Sequence, residues 1–228
     1  MYKYETHLHT KPVSACAGAT VREHMEFYKE KGYDGIFITN HFIDGNIAHE
    51  VREGHTYEEM IEFYFSDYEE AKKLETEIGI KVFSGVESSY GGTDFLIYGL
   101  DKEWYLSHPE IREMRRSDLL DFYIENGALV IQAHPFREAS YIDHIRLFPR
   151  NIHGTEVVNA GRSEFENRMA KLYAEKYNLI EFAGSDNHGA RQENLAGMES
   201  EEPVVDEKDF VEKVKSGKMQ YFQENCRV

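Results

Sequence analysis

Apolar residues along the chain alternate between two patterns, which together predict an α/β fold. Short runs rich in β-branched and aromatic residues are typical of strands. Several of them, such as Ile36-Phe37-Ile38, are apolar almost throughout, as in strands buried on both faces of a parallel sheet. The predicted strands are Tyr4–His9, Gly35–Asn40, Lys81–Glu87, Asp94–Leu100, Ala128–His134, Thr155–Asn159 and Leu179–Ser185.

Helix signals lie between these strands. A hydroxyl residue followed three positions later by glutamate can cap a helix amino terminus, and several predicted helices begin this way. The expected helices run from Thr20 to Gly32, from Thr56 to about Gly79, from Ser107 to Gly127, from about Arg162 to Tyr177 and from Asp206 to about Gly217. Repeated strand–helix units favour parallel strands with right-handed crossovers. About seven strands in one chain favour a closed barrel with its helices outside.

Length and charge narrow the possible functions. The 228 residues fit one barrel-sized domain, and we expect a single domain over 1–228 in which about 200–228 form a carboxyl-terminal extension packing on the barrel. With 42 acidic and 26 basic residues the formal charge is −16, which disfavours nucleic-acid binding and anionic membrane surfaces. No run of about 18 apolar residues predicts a transmembrane helix.

Cysteine content and the amino terminus indicate a cellular compartment. The two cysteines, Cys16 and Cys226, are too few for a disulfide framework. The first residues, Met1 to Glu5, contain no apolar signal region. We therefore expect a cytoplasmic protein.

Side chains that bind metals follow nearly every predicted strand at its carboxyl end. They are His7, His9, His41, Glu87, His134, Glu156, Asn159, Asp186 and His188. In α/β barrels these strand ends meet at one mouth, and residues i and i+2 of a strand point the same way, so His7 and His9 would face one ion. Imidazole and carboxylate ligands suit Zn²⁺, Mn²⁺ or Fe²⁺. Glu87 would bridge two ions about 3.5–4 Å apart.

Each of these residues taken alone has a simpler explanation. A single His-x-His pair is more often a surface or core pair, Glu87 would be a solvated cap, and Asp186 would form an Asx-turn. The convergent set favours metal binding because Asp, Glu and His are seldom buried unpaired. The remaining histidines fall in predicted helices or loops and are interpreted as surface residues. They are His24, His49, His55, His108, His144 and His153.

Five short motifs, taken in this order, resemble the PHP family, named for polymerase and histidinol phosphatase. They are His7-Leu8-His9-Thr10, the segment from Gly32 to His41, Gly85-Val86-Glu87, His134-Pro135 and Ser185-Asp186-Asn187-His188. The resemblance spans about residues 1–200. It implies a distorted seven-stranded α/β barrel, a cluster of two or three divalent metal ions and the hydrolysis of phosphoesters.

The resemblance also implies a ligand set. The implied ligands are His7, His9, Glu87 and Asp186 for the first ion, Glu87 and His134 for the second, and His41 and His188 for the third. The chain departs from the family at two positions. The loop after the first strand usually supplies Asp or His, where this chain offers Cys16, as a thiolate, or Ser14. The fourth strand usually ends near a His, for which Asp101 is the possible substitute.

The reaction that the resemblance implies is hydrolysis of a small-molecule phosphate monoester by hydroxide formed at the metals. Glu87, Asp186 and His188 are the expected catalytic residues, and His188 would donate a proton to the leaving oxygen if no metal occupies it. Two alternatives stay open. One is a non-catalytic metal-binding module, and the other is a nuclease or phosphodiesterase acting on nucleotides or short oligonucleotides. The oligomeric state is left open.

Phosphate binding favours a forked guanidinium group. Arg162 and Arg137 follow predicted strand ends and are the favoured phosphate ligands, with Arg191 as a third candidate. The expected partner is therefore a small phosphate ester.

Overall fold

The structure is a computed structural model that describes residues 1–225, so that Cys226 lies outside the described residues. These residues form nine strands and six α-helices. The strands are Tyr2–Leu8 (β1), Gly35–Ile38 (β2), Lys81–Tyr90 (β3), Thr93–Tyr98 (β4), Leu129–Ala133 (β5), Gly154–Asn159 (β6), Ile180–Gly184 (β7), Leu195–Ser200 (β8) and Met219–Glu224 (β9). The helices are Val21–Glu30 (α1), Tyr57–Ile78 (α2), Lys102–Ser107 (α3), Arg116–Glu125 (α4), Glu164–Tyr177 (α5) and Glu207–Lys215 (α6).

The strands form one mixed sheet in the order β7-β6-β5-β4-β3-β2-β1-β8-β9. The sheet curls almost into a barrel, because a parallel bridge joins Leu8 at the end of β1 to Asn187, just after β7. The backbone N–H of His9 donates to the Asn187 carbonyl at 3.0 Å across the same seam. The ends of β1 and β7, which carry predicted metal ligands, are thereby placed side by side.

The predicted barrel of mostly parallel strands needs correction. Within residues 1–225, four strand pairings are parallel and four are antiparallel. The strand β4 is antiparallel to both β3 and β5. Its direction is set by Gly91 and Gly92, whose φ angles of 56° and 86° build a two-residue hairpin turn between β3 and β4. A chain that turns back within two residues cannot form a parallel crossover.

Helix capping agrees with the sequence at most predicted starts. Thr20 and Thr56 each form the predicted capping box, with Glu23 and Glu59 respectively. Asp206 caps α6 as predicted. These caps satisfy backbone N–H groups that a helix amino terminus otherwise leaves unpaired.

The predicted helix start at Ser107 is wrong. Ser107 is the last residue of α3, a short helix that Asp101 caps by accepting a hydrogen bond from Trp104 N at 2.9 Å. The chain cannot continue as an α-helix here, because Pro109 disfavours helical backbone in the residue before it. That residue, His108, has φ −128° and ψ 61°.

Two strands near the carboxyl terminus, β8 and β9, were not predicted. β8 pairs with β1, and β9 pairs with β8, so both belong to the same sheet as the predicted strands. A glycine marks the close approach, since a Cβ at Gly197 would lie 2.1 Å from the Tyr4 carbonyl oxygen. The division into a barrel and an extension at about 200–228 stays a prediction.

The barrel interior opposite the strand ends is filled by apolar side chains. One cluster draws buried residues from most strands and from α6, whose Phe210 ring lies 4.2 Å from the Phe37 ring. This apolar packing fills one end of the barrel, and the polar residues lie at the other end. Among the described residues, none of the helices has the length and apolar character needed to cross a bilayer.

Candidate metal centre

Four predicted histidine ligands surround one buried carboxylate. The Glu87 Oε1 atom lies 3.2 Å from His7 Nε2 and 3.3 Å from His134 Nε2. The Glu87 Oε2 atom lies 3.6 Å from His9 Nε2 and 2.5 Å from His41 Nδ1. The side chains come from the ends of β1, β2, β3 and β5, so the structure brings together residues that are far apart in sequence, as the strand pattern predicts.

Asp186 supplies a second carboxylate to the same cluster. Its Oδ1 atom lies 3.4 Å from His9 Nε2 and 3.6 Å from His7 Nε2, and its Oδ2 atom lies 4.0 Å from His134 Nε2. The φ angle of Asp186 is 52°, a left-handed conformation that aspartate tolerates better than most residues. The turn also places His188, whose Nδ1 donates to the Asp186 carbonyl oxygen at 2.9 Å.

Glu156, on β6, fixes the tautomer of His7. His7 Nδ1 lies 2.8 Å from Glu156 Oε1, and a carboxylate oxygen only accepts, so the proton of neutral His7 is on Nδ1. The lone pair is then on Nε2, the atom that faces Glu87 and Asp186. Glu156 Oε2 also accepts from His134 N and from Asn159 Nδ2, each at 2.9 Å. A carboxylate behind a histidine is the usual support of a metal-binding imidazole.

The donor atoms fit divalent cations. Both carboxylate oxygens of Glu87 and both ring nitrogens of His134 are buried without a hydrogen-bond partner among the described residues. Lone pairs and negative oxygens that face one another repel unless a positive charge lies between them. Four groups of three residues bring ligand atoms within 4.8 Å of one another. They are His9–His41–His188, His7–His134–Glu156, His7–His9–Glu87 and Glu87–Asp94–His134.

The pKa shifts of His7 and Glu87 also indicate that this cluster favours positive charge beside its carboxylates. Burial lowers the pKa of His7, but the carboxylates of Glu156, Asp186 and Glu87 outweigh it and raise that pKa well above its usual value. Burial raises the pKa of Glu87, but the neighbouring imidazoles, first His41 and then His7, hold it well below its usual value. The Glu87 carboxylate is therefore ionised.

Cys16 and Ser14, the two alternatives in the loop after β1, occupy different surroundings. Burial raises the pKa of the Cys16 thiol, but hydrogen bonds with His188 and His41 outweigh it and lower the pKa to about 6. Ser14 is buried, and its hydroxyl donates to Asn40 Oδ1 at 2.8 Å and accepts from His41 N at 3.0 Å. The Cys16 thiol thus lies beside two imidazoles, whereas the Ser14 hydroxyl is hydrogen-bonded to the Asn40 side chain and to the backbone N–H of His41. Metal ligation by either one stays a prediction.

A buried aspartate on α2 positions this loop. Asp67 Oδ2 accepts from Thr10 Oγ1 at 2.6 Å and from Asn40 Nδ2 at 3.1 Å. Asn40 Oδ1 in turn accepts from Thr10 N at 2.7 Å and from Ser14 Oγ. The chain of hydrogen bonds ends at His9, whose Nδ1 lies 3.3 Å from Ser14 Oγ. This network joins α2 to the ends of β1 and β2 and holds their histidines in place.

The prediction that Asp101 substitutes for a metal ligand at the fourth strand is wrong, and Asp94 is the aspartate of that strand that lies beside the cluster. Asp101 is exposed and caps α3. Asp94 is buried, and its Oδ2 lies 3.9 Å from His134 Nε2. The reason is the direction of β4, because an antiparallel strand presents its first residues, and not its last, at the mouth of the barrel. The Gly91-Gly92 pair was the sequence signal for this reversal.

The three candidate arginines lie in different places. Arg137 pairs with Asp94, with its Nη2 atom 2.8 Å from Asp94 Oδ2. Arg162 is half-buried just after β6. Burial raises the pKa of the nearby Glu166 carboxyl, but hydrogen bonds from Ser163 and, to a smaller extent, the charge of Arg162 lower it. Arg191 is exposed in the loop after His188. Arg137 therefore has the most direct link to the cluster, through Asp94.

The interpretation of six further histidines as surface residues holds for His49, His55 and His144, which are exposed. It is wrong for His24, which is fully buried. Residues 21, 24, 25 and 28 all lie on the buried face of α1, so the helical period could have found it. His108 and His153 are half-buried, and His153 Nδ1 accepts from Val130 N at 3.1 Å.

Comparison with known proteins supports the family. A family model described as PHP-associated matches residues 164–219. Three solved structures share the fold, and each has low sequence identity with this chain. A search of the curated proteins finds no match.

A two-domain Bacteroides vulgatus protein described as containing a predicted PHP-like metal-dependent phosphoesterase has a TM-score of 0.69 at 13% identity. The alignment covers 97% of this chain and 64% of the Bacteroides protein, so this chain spans less than two thirds of that protein's length. PsfC from Pseudomonas syringae has a TM-score of 0.62 at 16% identity, covering 97% and 91% of the two chains. A putative metal-dependent phosphoesterase from Bifidobacterium adolescentis has a TM-score of 0.54 at 14% identity, covering 92% and 95%.

The family model contributes sequence similarity over α5, β7, β8 and α6, and the solved structures contribute the fold over nearly all of the chain. These two findings confirm the PHP resemblance that the sequence motifs indicate: a PHP-associated family model matches residues 164–219, and nearly the whole chain shares the fold of a protein described as containing a predicted PHP-like phosphoesterase.

Proposed function

We propose that the protein is a metal-dependent phosphoesterase that hydrolyses a small-molecule phosphate monoester. The observation that carries the proposal is Glu87, a buried ionised carboxylate whose two oxygens face four imidazoles and have no hydrogen-bond partner among the described residues. Two of the structural neighbours are described as metal-dependent phosphoesterases, one of them as a predicted one and one as putative, which supports the same class of reaction.

The residues that would hold the ions divide into three overlapping groups. We assign His7, His9, Glu87 and Asp186 to a first ion, Glu87, His134 and Asp94 to a second, and His41, His188 and Cys16 to a third. Divalent ions bound there would acidify a water molecule and neutralise phosphate charge. We expect Zn²⁺, Mn²⁺ or Fe²⁺, because the donors are imidazole nitrogens and carboxylate oxygens with one thiol.

The protein's own side chains orient the reactants. Glu156 holds the ring of His7 and the backbone N–H of His134, so that the His7 imidazole is oriented before substrate binds. Arg137 and Arg162 are the proposed phosphate ligands. His188 is 34% exposed and is the most accessible imidazole of the cluster. Where no ion occupies it, its ring is placed to donate a proton to the leaving oxygen.

The charge of the chain favours a small substrate. A formal charge of −16 repels polyanions at long range, and a nuclease that follows a strand would need a basic groove. A single phosphate group needs only the local positive charge of the ions and arginines. This is why we prefer a small monoester to an oligonucleotide.

The test compares turnover of an aryl phosphate by wild type and Glu87→Gln, each with Mn²⁺ or Zn²⁺ added. We expect the variant to lose more than about 100-fold in kcat/KM, since even the loss of a residue behind a metal ligand costs about 10- to 100-fold. The matched control is Glu175→Gln, which alters an exposed carboxylate on α5 and should keep full activity.

Undiminished hydrolysis by Glu87→Gln would contradict the assignment. Metal binding without turnover of any phosphate ester would support a non-catalytic module instead. Turnover confined to dinucleotides or short oligonucleotides would support a phosphodiesterase.

A further inference from the structure

The long loop between β5 and β6 contains a groove beside the metal centre. The groove has a volume of about 600 Å³, which is within the usual range for small-molecule sites. Its lining includes Arg137, Glu138, Ile142, Asp143, His144 and Ile145. Arg137 joins the groove to the centre, because its guanidinium contacts Asp94 at 2.8 Å and Asp94 lies 3.9 Å from His134. The groove therefore begins one side chain away from the centre.

The loop is held in place although it lacks regular secondary structure. Arg146 Nη1 donates to the Gly91 carbonyl at 2.6 Å, and the Arg146 carbonyl accepts from the buried Gln132 side chain at 2.8 Å. Ile142 packs on Gly92, where an added Cβ would lie 2.8 Å from it. The hairpin that reverses β4 is thus also the support of this loop. Long loops fixed in this way commonly line binding sites.

The loop exposes large apolar side chains that a folded protein usually covers. Tyr141 is 68% exposed, Ile145 44% and Leu147 38%. Tyr90, on the neighbouring hairpin, is 45% exposed. Single exposed apolar residues are ordinary, but several within one short segment next to a cleft indicate a binding surface. The Tyr141 ring lies 5.8 Å from the guanidinium of Arg137, a lining residue, so Tyr141 lies beside the groove.

The charges of the groove restrict what it binds. Its two carboxylates, Glu138 and Asp143, are exposed, and Arg137 is paired with Asp94. A leaving group that carried its own phosphate, as a nucleotide polyphosphate does, would meet these carboxylates, and the Arg137 guanidinium is already paired with Asp94 and assigned to the phosphate that is hydrolysed. An uncharged apolar group would meet Ile142 and Ile145 in the lining and Tyr141 beside it.

We propose that this groove binds the alcohol part of the substrate and that this alcohol is apolar or aromatic and carries no second phosphate. The inference rests on the proposed phosphoesterase function and names its substrate class.

The experiment compares two alkyl phosphates whose leaving alcohols are similar in reactivity, 2-phenylethyl phosphate and glycerol 1-phosphate. We expect wild type to favour 2-phenylethyl phosphate by about tenfold in kcat/KM, the usual discrimination of a small apolar pocket. Tyr141→Ala and Ile145→Ala should raise KM for the phenylethyl ester about three- to tenfold and leave KM for glycerol phosphate unchanged. The control Leu172→Ala, which removes an exposed apolar side chain from α5, should change neither.

A preference for glycerol phosphate or a nucleotide, or loop variants that change both esters equally, would overturn the inference. A second readout separates it from the proposed function. Calorimetry of the metal-loaded protein with 2-phenylethylphosphonate, which cannot be hydrolysed, measures binding without turnover. Binding that Tyr141→Ala weakens would support the groove even if no ester were hydrolysed, and equal binding by wild type and variant would contradict it.

Discussion

The two sides of Glu87 differ in both chemistry and origin. The imidazole side, which consists of His9, His41, His188 and Cys16, has nitrogen donors and a thiol. The carboxylate side, which consists of Asp94, His134 and Arg137, has a second carboxylate and a guanidinium paired to it.

The origin of the two sides explains the difference. The imidazole side is built from β1, β2 and the turn after β7, and β1 and β2 are parallel. The carboxylate side depends on β4, the strand that is antiparallel to its neighbours. A reversed strand brings the residues at its start to the mouth of the barrel. Asp94, near the start of β4, therefore reaches the site, whereas Asp101, which follows its end, does not. The comparison teaches that strand direction decides which side chains reach the mouth of the barrel as much as the motif does.

The largest expected effect is on the carboxylate side. Asp94→Asn removes a charge next to His134 and releases Arg137, so we expect the Mn²⁺ concentration for half-maximal activity to rise about 10- to 100-fold. A titration of activity against Mn²⁺ measures this. The matched control is Asp101→Asn, which keeps a good helix cap and should behave as wild type. If Asp101→Asn were the more damaging change, our register for β4 would be wrong.

A smaller effect is expected on the imidazole side. Cys16→Ser replaces a soft sulfur with a hard oxygen, so the affinity for Zn²⁺ should fall about tenfold while activation by Mn²⁺ changes less. Competition with a zinc-binding dye gives the affinity. Cys226→Ser, at the other cysteine of the chain, serves as the control and should leave zinc binding unchanged. Equal zinc affinity in wild type and Cys16→Ser would remove the thiol from the imidazole side.

The smallest expected effect lies away from both sides. Burial is the main cause that lowers the pKa of His153 to about 4, and the charge of Lys215 adds to it. The folded protein therefore keeps His153 neutral, whereas the unfolded chain takes up a proton near its ordinary pKa of about 6.5. Stability from this residue is complete above that value and falls as the pH drops from about 6.5 to about 4.

His153→Asn should remove this pH-dependent term, which we expect to be about 1 kcal/mol. Urea unfolding at pH 7.5 and pH 5, with a chelator present so that metal loss does not contribute, compares the two proteins. Wild type should lose more stability than the variant over this range. Parallel losses would contradict the expectation, and a change in metal affinity would show that His153 is coupled to the site.

Much of the fold and of the site could be predicted from the sequence because local signals and tertiary structure agree there. Thr20 and Thr56 cap their helices through contacts with residues three positions away in sequence, which do not depend on the rest of the fold. A continuous apolar run such as 36–38 suits a buried strand in any sheet. His7, His9 and Glu87 were found because their spacing from the strand ends is enough to place them at the mouth.

The rest depends on contacts that no local pattern expresses. Asp94 was missed because the direction of β4 follows from two glycines that read equally well as a loop. The strand β8 was missed because its Gly197 lowers its strand propensity, although close contact with β1 requires that glycine. Asp67 lies in the middle of α2, and nothing in its helical surroundings indicates that it holds the loop after β1.

Metal analysis of the purified protein tests the central claim, that the residues around Glu87 form a metal centre. The protein is loaded with Zn²⁺ or Mn²⁺, freed of excess ions, and analysed by mass spectrometry for bound metal, with Glu87→Gln beside it. We predict at least two ions per wild-type chain and fewer than one in the variant, with both proteins folded. Fewer than one ion per folded wild-type chain, or equal metal content in the two proteins, would contradict the claim.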